Sequence, residues 1–236
     1  METGLLTVDP EHPTGVFFKD VRPDGLRRVH YYRKGSAASH LEPSDGPRIL
    51  APRPRAIVLT GITVALGDGP AALVRDLCGR AHAAGIKVVL DPNLRPALGA
   101  YDVVLSTLRS LLPFVDLLAL GQDEAEELFG TTTPRDVFKA AADAGVRETL
   151  LKGGADGVWH EGGHVPTAAT EIVDPVGAGD AMLGGYLAAR LSDVPPSGAA
   201  WLGTRFAAAV IAAPGDTQGI PDAATAQALL SEARRE

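Results

Sequence analysis

From Ala56 onward the chain alternates two kinds of apolar pattern. Short, nearly continuous apolar runs read as buried strands: "AIVLTG" (56–61), "IKVVLD" (86–91), "VDLLAL" (115–120), "TLLKG" (149–153) and "TEIVD" (170–174). Between them the apolar positions fall at helical spacing. Asp68-Gly69-Pro70 opens one such helix, and Leu73, Val74, Leu77, Cys78, Ala81 and Ala84 make its stripe. "TPRDVFKAAADAG" (133–145) begins with Thr-Pro and ends with Gly, a helix with both boundary signals. Two more helices are predicted over 180–191 and 197–213, and "GVWHE" with "GHVP" reads as a small hairpin. Ahead of Ala56 the texture differs. Gly15 to Gly35 reads as two strands around the turn Pro23-Asp24-Gly25, and the proline-rich "SDGPRILAPRPR" (44–55) as an irregular connection. Strands alternating with helices predict an α/β fold, a mostly parallel sheet with helices on both faces. A small β lid precedes it, so the organisation is lid (1–43), connection (44–55) and core (56–236).

Composition narrows the functional classes. The 236 residues suffice for one sizeable core, with 45% hydrophobic and 22% charged residues, an ordinary balance for a globular chain. A formal net charge of −7 and the absence of a basic block argue against nucleic acid or an anionic membrane as partner. The single cysteine, Cys78, excludes an internal disulfide framework and fits a reducing, cytoplasmic setting. No apolar run approaches the roughly 18 residues that span a bilayer, and "METGLLTVDP" lacks the basic start and apolar core of a signal peptide.

In mostly parallel sheets, ligands sit beyond the carboxyl ends of the strands. Polar or glycine-bearing segments follow the strands here: Asp91 to Arg95, Gly121 to Glu124, Lys152 to Gly157 and Asp174 to Asp180. The last reads "DPVGAGD" and runs into a helix. A helix N-terminus presents unpaired N–H groups and partial positive charge, and glycines let its backbone approach an anion. Asp180, beside that anion site, is a poor ligand for phosphate but a suitable base for a hydroxyl whose oxygen attacks a phosphoryl group. The residues alone leave a second reading open, an N-cap aspartate after a flexible turn.

"DPVGAGDAMLGGYLAARL" resembles the C-terminal signature of the ribokinase-like (PfkB) carbohydrate kinases, Asp-Thr-x-Gly-Ala-Gly-Asp, with Pro175 at the usual Thr. The resemblance implies that Asp180 is the catalytic base, that Gly177, Ala178 and Gly179 form the anion hole, and that Asp174 shapes the nucleotide and cation end. "LLKGGADGVW" is similar to the family's nucleotide turn, which makes Lys152, Gly154 and Gly157 contacts of ATP. "DLLALGQDEAEELFG" resembles an Asn-x-x-Glu segment whose glutamate acts through magnesium. Glu124 fits the glutamate, whereas Gly121 stands at the usual Asn. "FAAAVIAAPGDTQGIP" resembles the helix and loop over adenine. The implied cofactors are ATP and Mg2+, with a monovalent cation as a further expectation.

"VHYYRKGSAASHL" and "DPNLRPAL" resemble the members of the family that act on 2-keto-3-deoxygluconate. A sugar acid calls for arginine at its carboxylate. Arg33 and Arg95 are the candidates, with Tyr31 beside them and Asp91 and Asn93 in support. The implied reaction moves the γ-phosphoryl group of ATP to a primary hydroxyl of that acid. Another sugar of the same family, fructose or ribose, and a nucleotide-binding protein with little turnover stay open as alternatives. A dinucleotide-binding oxidoreductase does not, because Met182 stands where Gly-x-Gly-x-x-Gly needs its third glycine.

The resemblance covers about the last three quarters of a full family member, whose opening strands would precede the lid. A lone two-stranded ribbon is marginally stable in water, and lids in this family pair with a second subunit. The 236-residue chain is therefore expected to self-associate, as a homodimer through the lid or by pairing along an exposed edge such as "AIVLTG". Light scattering across a concentration series is expected to show dimers or larger species. A clean monomer with a cooperative, high-temperature melt would contradict this.

Overall fold

The computed structural model describes residues 4–21 and 27–236. Among them the strands form a two-stranded ribbon and a six-stranded, mostly parallel sheet. The chain divides into two compact units, Met1–Leu118 with Ala142–Arg147, and Ala119–Ala141 with Glu148–Glu236.

In the first unit, β1 (Val16–Val21) and β2 (Arg27–Tyr32) pair antiparallel, with Phe17 opposite Tyr31 and Val16 opposite Tyr32. The predicted turn at Pro23-Asp24-Gly25 lies outside the described residues. Phe18 and Tyr32 meet edge to face on an exposed side of the ribbon, their centroids 5.6 Å apart. At its base His12 stacks on His40 at 3.6 Å, and Ala37 N–H donates to Pro13 O at 2.9 Å. Then come α1 (Gly46–Leu50), β3 (Ala56–Thr60), α2 (Gly61–Val64), α3 (Asp68–Ala83), β4 (Lys87–Asp91), α4 (Tyr101–Leu111) and β5 (Leu117–Gly121). β3, β4 and β5 are parallel neighbours: Val58 lies opposite Val89, and Val89 opposite Leu117. The predicted stripe of α3 is buried from Leu73 to Ala81, whereas Ala84 lies past the helix end and is exposed. Cys78 is fully buried, and that burial, with Asp116 as the lesser cause, pushes its thiol up to about 11. Asp116 itself is occupied: it accepts from Val88 N–H at 2.9 Å and from Arg147 Nη1 at 2.8 Å.

The second unit holds α5 (Gln122–Phe129), α6 (Pro134–Asp143), β6 (Glu148–Lys152), β7 (Val158–His160), β8 (Gly163–Val165), α7 (Ala178–Arg190), α8 (Pro196–Ile211) and α9 (Ala223–Ala233). The strand order of the large sheet is β3-β4-β5-β6-β7-β8, and β6, β7 and β8 run antiparallel, which makes β7 and β8 the predicted hairpin. α7 and α8 pack backbone to backbone. A Cβ on Gly185 would lie 3.1 Å from Gly203 Cα, and one on Gly203 would lie 2.7 Å from Met182 O. Side chains at both places would force the helices apart.

Two expectations fail. Residues 170–174 form no strand; Val173 and Asp174 donate their N–H groups to one carbonyl, Ile211 O, at 2.8 and 3.1 Å, and Ile172 stays exposed. The apolar run had length and composition but no neighbouring ladder to join. The segment 44–55 is also more regular than its prolines suggest. It contains the end of a 3-10 turn (Pro43–Asp45) and all of α1, with Pro43 and Pro47 in first turns, where a missing N–H costs nothing. The C-terminal helix α9, capped by Asp222 accepting from Thr225 N–H at 2.8 Å, was not anticipated.

Gly157 illustrates how tightly the β7–β8 hairpin is folded. Its φ is +89°, and an added Cβ would collide with Val165 O and lie 2.7 Å from both Pro166 C and Thr167 N. Gly157→Ala is therefore expected to cost about 1–3 kcal/mol, lowering the melting midpoint by several degrees. A thermal melt matching the parent would mean that the glycine is there for a ligand alone.

Candidate functional site

Gly177 has φ +86° and ψ −8°, the left-handed conformation that favours glycine, and it caps α7. The turn leading into it is held by Asp174, whose Oδ1 accepts Val176 N–H at 3.1 Å. Behind Gly177 runs the 215–217 loop: a Cβ there would lie 3.2 Å from Asp216 O. α7 starts at Ala178, so Ala178, Gly179 and Asp180 supply its first N–H groups, and Asp180 is an exposed residue of its first turn. The positive end of the helix dipole thus faces outward beside a carboxylate.

Lys152 ends β6, and its Nζ lies 3.7 Å from where a Cβ of Gly179 would be. The second unit therefore brings three predicted elements together: the glycine turn, Asp180 and the lysine. A fixed cation beside a row of helix-terminal amides suits the phosphates of ATP. After Lys152 the chain makes a tight turn, with Gly153 N–H donating to Gly157 O at 2.8 Å and Gly154 at φ +60°. Gly157, predicted as a nucleotide contact, also has the steric reason given above.

Glu124 sits in the first turn of α5, half-buried, and its Oε2 accepts Gly121 N–H at 2.7 Å. Gly121, at the usual Asn, has no side chain to return the bond, so this is half of a capping box. Among the described residues no group of three His, Cys, Asp or Glu could hold a metal. The residues present therefore do not fit magnesium as a protein-only cage.

The substrate candidates belong to the first unit. Tyr31 and Arg33 are brought together: the guanidinium lies 5.5 Å from the Tyr31 ring and 5.8 Å from that of Phe17. Such stacking orients the planar fork while leaving its N–H edge for a carboxylate. Gly15 lies against Arg33 Cγ and Ser36, where a Cβ would approach both to 3.3 Å. Asp91, 4% exposed, ends β4. Asn93 follows at φ +42°, a conformation asparagine tolerates, and exposed Arg95 donates from Nη1 to Leu94 O at 2.8 Å.

Sequence reading missed one cluster. Tyr186, fully buried, donates its hydroxyl to Glu148 Oε1. Arg190 grips the same carboxylate with Nε to Oε1 at 2.9 Å and Nη2 to Oε2 at 2.8 Å, and its Nη1 reaches Val194 O at 2.9 Å. Burial, then Glu148, pushes the phenol far above its ordinary range; the hydrogen bond to Glu148 raises Arg190. The 186/190 spacing puts both side chains on one helix face, which was visible. Their partner, 38 and 42 residues away, was not.

Comparison with known proteins agrees with this geometry. The family model described as "pfkB family carbohydrate kinase" matches residues 2–223. The 2-dehydro-3-deoxygluconokinase of Thermoproteus tenax is 34% identical over 240 residues, covering 98% of this chain and 72% of that protein. Its namesake from Bacillus subtilis is 30% identical over 230 residues, covering 95% and 71%. The crystal structure of a PfkB protein from Polaromonas sp. JS666 superposes with a TM-score of 0.77 at 31% identity, covering 94% and 71%. With its fold and nearly its whole length matched, the chain belongs to the pfkB family of carbohydrate kinases, phosphotransferases that act on sugars.

Proposed function

We propose that the protein transfers the γ-phosphoryl group of ATP to a primary hydroxyl of a sugar acid, 2-keto-3-deoxygluconate (2-dehydro-3-deoxygluconate). The observation that carries the phosphotransfer is the meeting of Lys152 with the Gly177–Gly179 turn beside Asp180. Two relatives named for the acid, and the Arg33–Tyr31 stack, support the substrate.

Asp180 takes the proton of the attacking hydroxyl. That oxygen bonds to the γ-phosphorus, the bond from phosphorus to the bridging oxygen breaks, and ADP leaves with the electron pair. The amides at the start of α7 meet the charge spread over the transferring oxygens, and the Lys152 ammonium balances the phosphates. Arg33 and Arg95 hold the carboxylate, with Tyr31, Asp91 and Asn93 orienting the rest of the sugar acid. Gly154 and Gly157 shape the turn that carries the nucleotide, with Asp174 at its cation end. Glu124 is the carboxylate available toward magnesium, and no step above passes through the ion.

Asp180→Asn is expected to lower turnover about 100- to 10,000-fold in a coupled ADP-release assay while nucleotide binding by calorimetry survives. Near-parental turnover would remove Asp180 from the role of base. The parent is also expected to prefer the keto acid over fructose. Arg95→Ala is expected to raise the KM for the acid roughly tenfold with kcat little changed, because the contact exists in ground and transition states alike. Equal use of fructose and the acid would overturn the substrate assignment.

A further inference from the structure

We propose that Glu148, Tyr186 and Arg190 are positioning residues for phosphoryl transfer, fixing the tilt of α7 about its glycine crossing with α8. The proposal rests on the reading of the α7 N-terminus as the anion cradle. Three observations combine. First, α7 crosses α8 between Met182 and Gly185: a Cβ on Gly203 would lie 2.7 Å from Met182 O, and one on Gly185 3.1 Å from Gly203 Cα. So close a crossing, with the Phe206 and Met182 side chains packed against the two glycines, makes a pivot. Second, Gly179 lies four to five residues before the middle of that crossing and Arg190 six to seven after it. At 1.5 Å per residue these arms are about 7 and 10 Å. A displacement of about 1 Å at Arg190 therefore reappears, with opposite sense, as a similar displacement of the cradle. Third, the far arm is tied by directional bonds, the bidentate Arg190–Glu148 pair and the Tyr186 hydroxyl, rather than by apolar contact alone.

The anchor point matters as much as the bonds. Glu148 starts β6 and Lys152 ends it, with Leu150 and Leu151 fully buried between them. One rigid strand thus holds the far end of the helix and presents the lysine to the near end. The distance from Lys152 to the glycine turn follows from how Glu148 holds Arg190. A cavity of about 210 Å³, lined by Glu148, Tyr186, His160 and Ser197, opens onto the lock, so a shortened acid there meets no obstruction. Since the cradle acts on charge that develops in the transition state, a tilt should lower kcat and leave KM alone. Misplacement by about 1 Å can cost as much as 100-fold.

Glu148→Asp tests the lever because it keeps the ion pair while drawing Arg190 toward β6. The expected result is a kcat loss of roughly tenfold or more, with KM for ATP and for the acid within about twofold and the melting midpoint close to the parent's. Amide exchange at Gly179 and Asp180 should quicken without a global change. Tyr186→Phe, which leaves the ion pair intact, should show a smaller loss of the same kind and serves alone if Glu148→Asp does not fold. Unchanged kcat and exchange would overturn the proposal, as would a kcat loss that merely tracks the melting midpoint across the variants. The site reading fails separately: an active Asp180→Asn sinks it whatever the lock variants do, whereas an inactive one beside a fully active Glu148→Asp sinks the lever alone.

Discussion

The approach of two helix backbones at Gly185 and Gly203 is the contact on which the second unit depends. Glycine gives up conformational entropy in a helix, at a cost of about 1 kcal/mol relative to alanine. In return α7 lies deep against α8, with Met182, Leu183 and Tyr186 all buried. The depth matters because a helix N-terminus is useful only where its amides are aimed, and aim is a property of the whole rod. A side chain at either position would lift α7 and move its first turn with it.

A division of labour along the helix follows. The N-terminal turn, left-handed at Gly177, is where the proposed chemistry lies. The middle carries packing, with Gly184 and Gly185 set between the buried Met182, Leu183 and Tyr186. The last turns carry the ion pair and the buried phenol. The protein is acidic overall, yet the proposed anion cradle needs no patch of positive side chains. Oriented backbone amides and one lysine create a local field that the net charge of −7 does not cancel.

Much of this was legible in the sequence because it is local. Nearly continuous apolar runs located the strands from Ala56 to Lys152, the 3.6-residue period located the helices between them, and Gly-Ala-Gly-Asp marked the proposed cradle before any contact was known. The failures are equally physical. "TEIVD" has the composition of a strand, but a strand exists only where a neighbour supplies a ladder, and 170–174 has none. The prolines of 44–55 suggested irregularity, although Pro47 occupies the one helical turn that tolerates it. The Glu148–Tyr186–Arg190 lock was illegible because a glutamate at a strand start and an arginine at a helix end each look like surface charge; only the fold makes them a pair. Gly157 shows the converse, a glycine assigned to a ligand that backbone crowding explains on its own.

The ribbon of β1 and β2 has a consequence for how such an enzyme diversifies. Residues that alternate along a strand face opposite ways, so Phe17, Tyr31 and Arg33 gather on one side while Phe18 and Tyr32 pair on the other. Neighbours in sequence are therefore strangers in space. Drift on the Phe18 side can remodel whatever that face meets while the arginine's aromatic seat is inherited unchanged. Drift on the Arg33 side, where the proposed carboxylate contact lies, leaves the outer face undisturbed. Two selective pressures can act on a dozen residues of one hairpin and never compete for the same position.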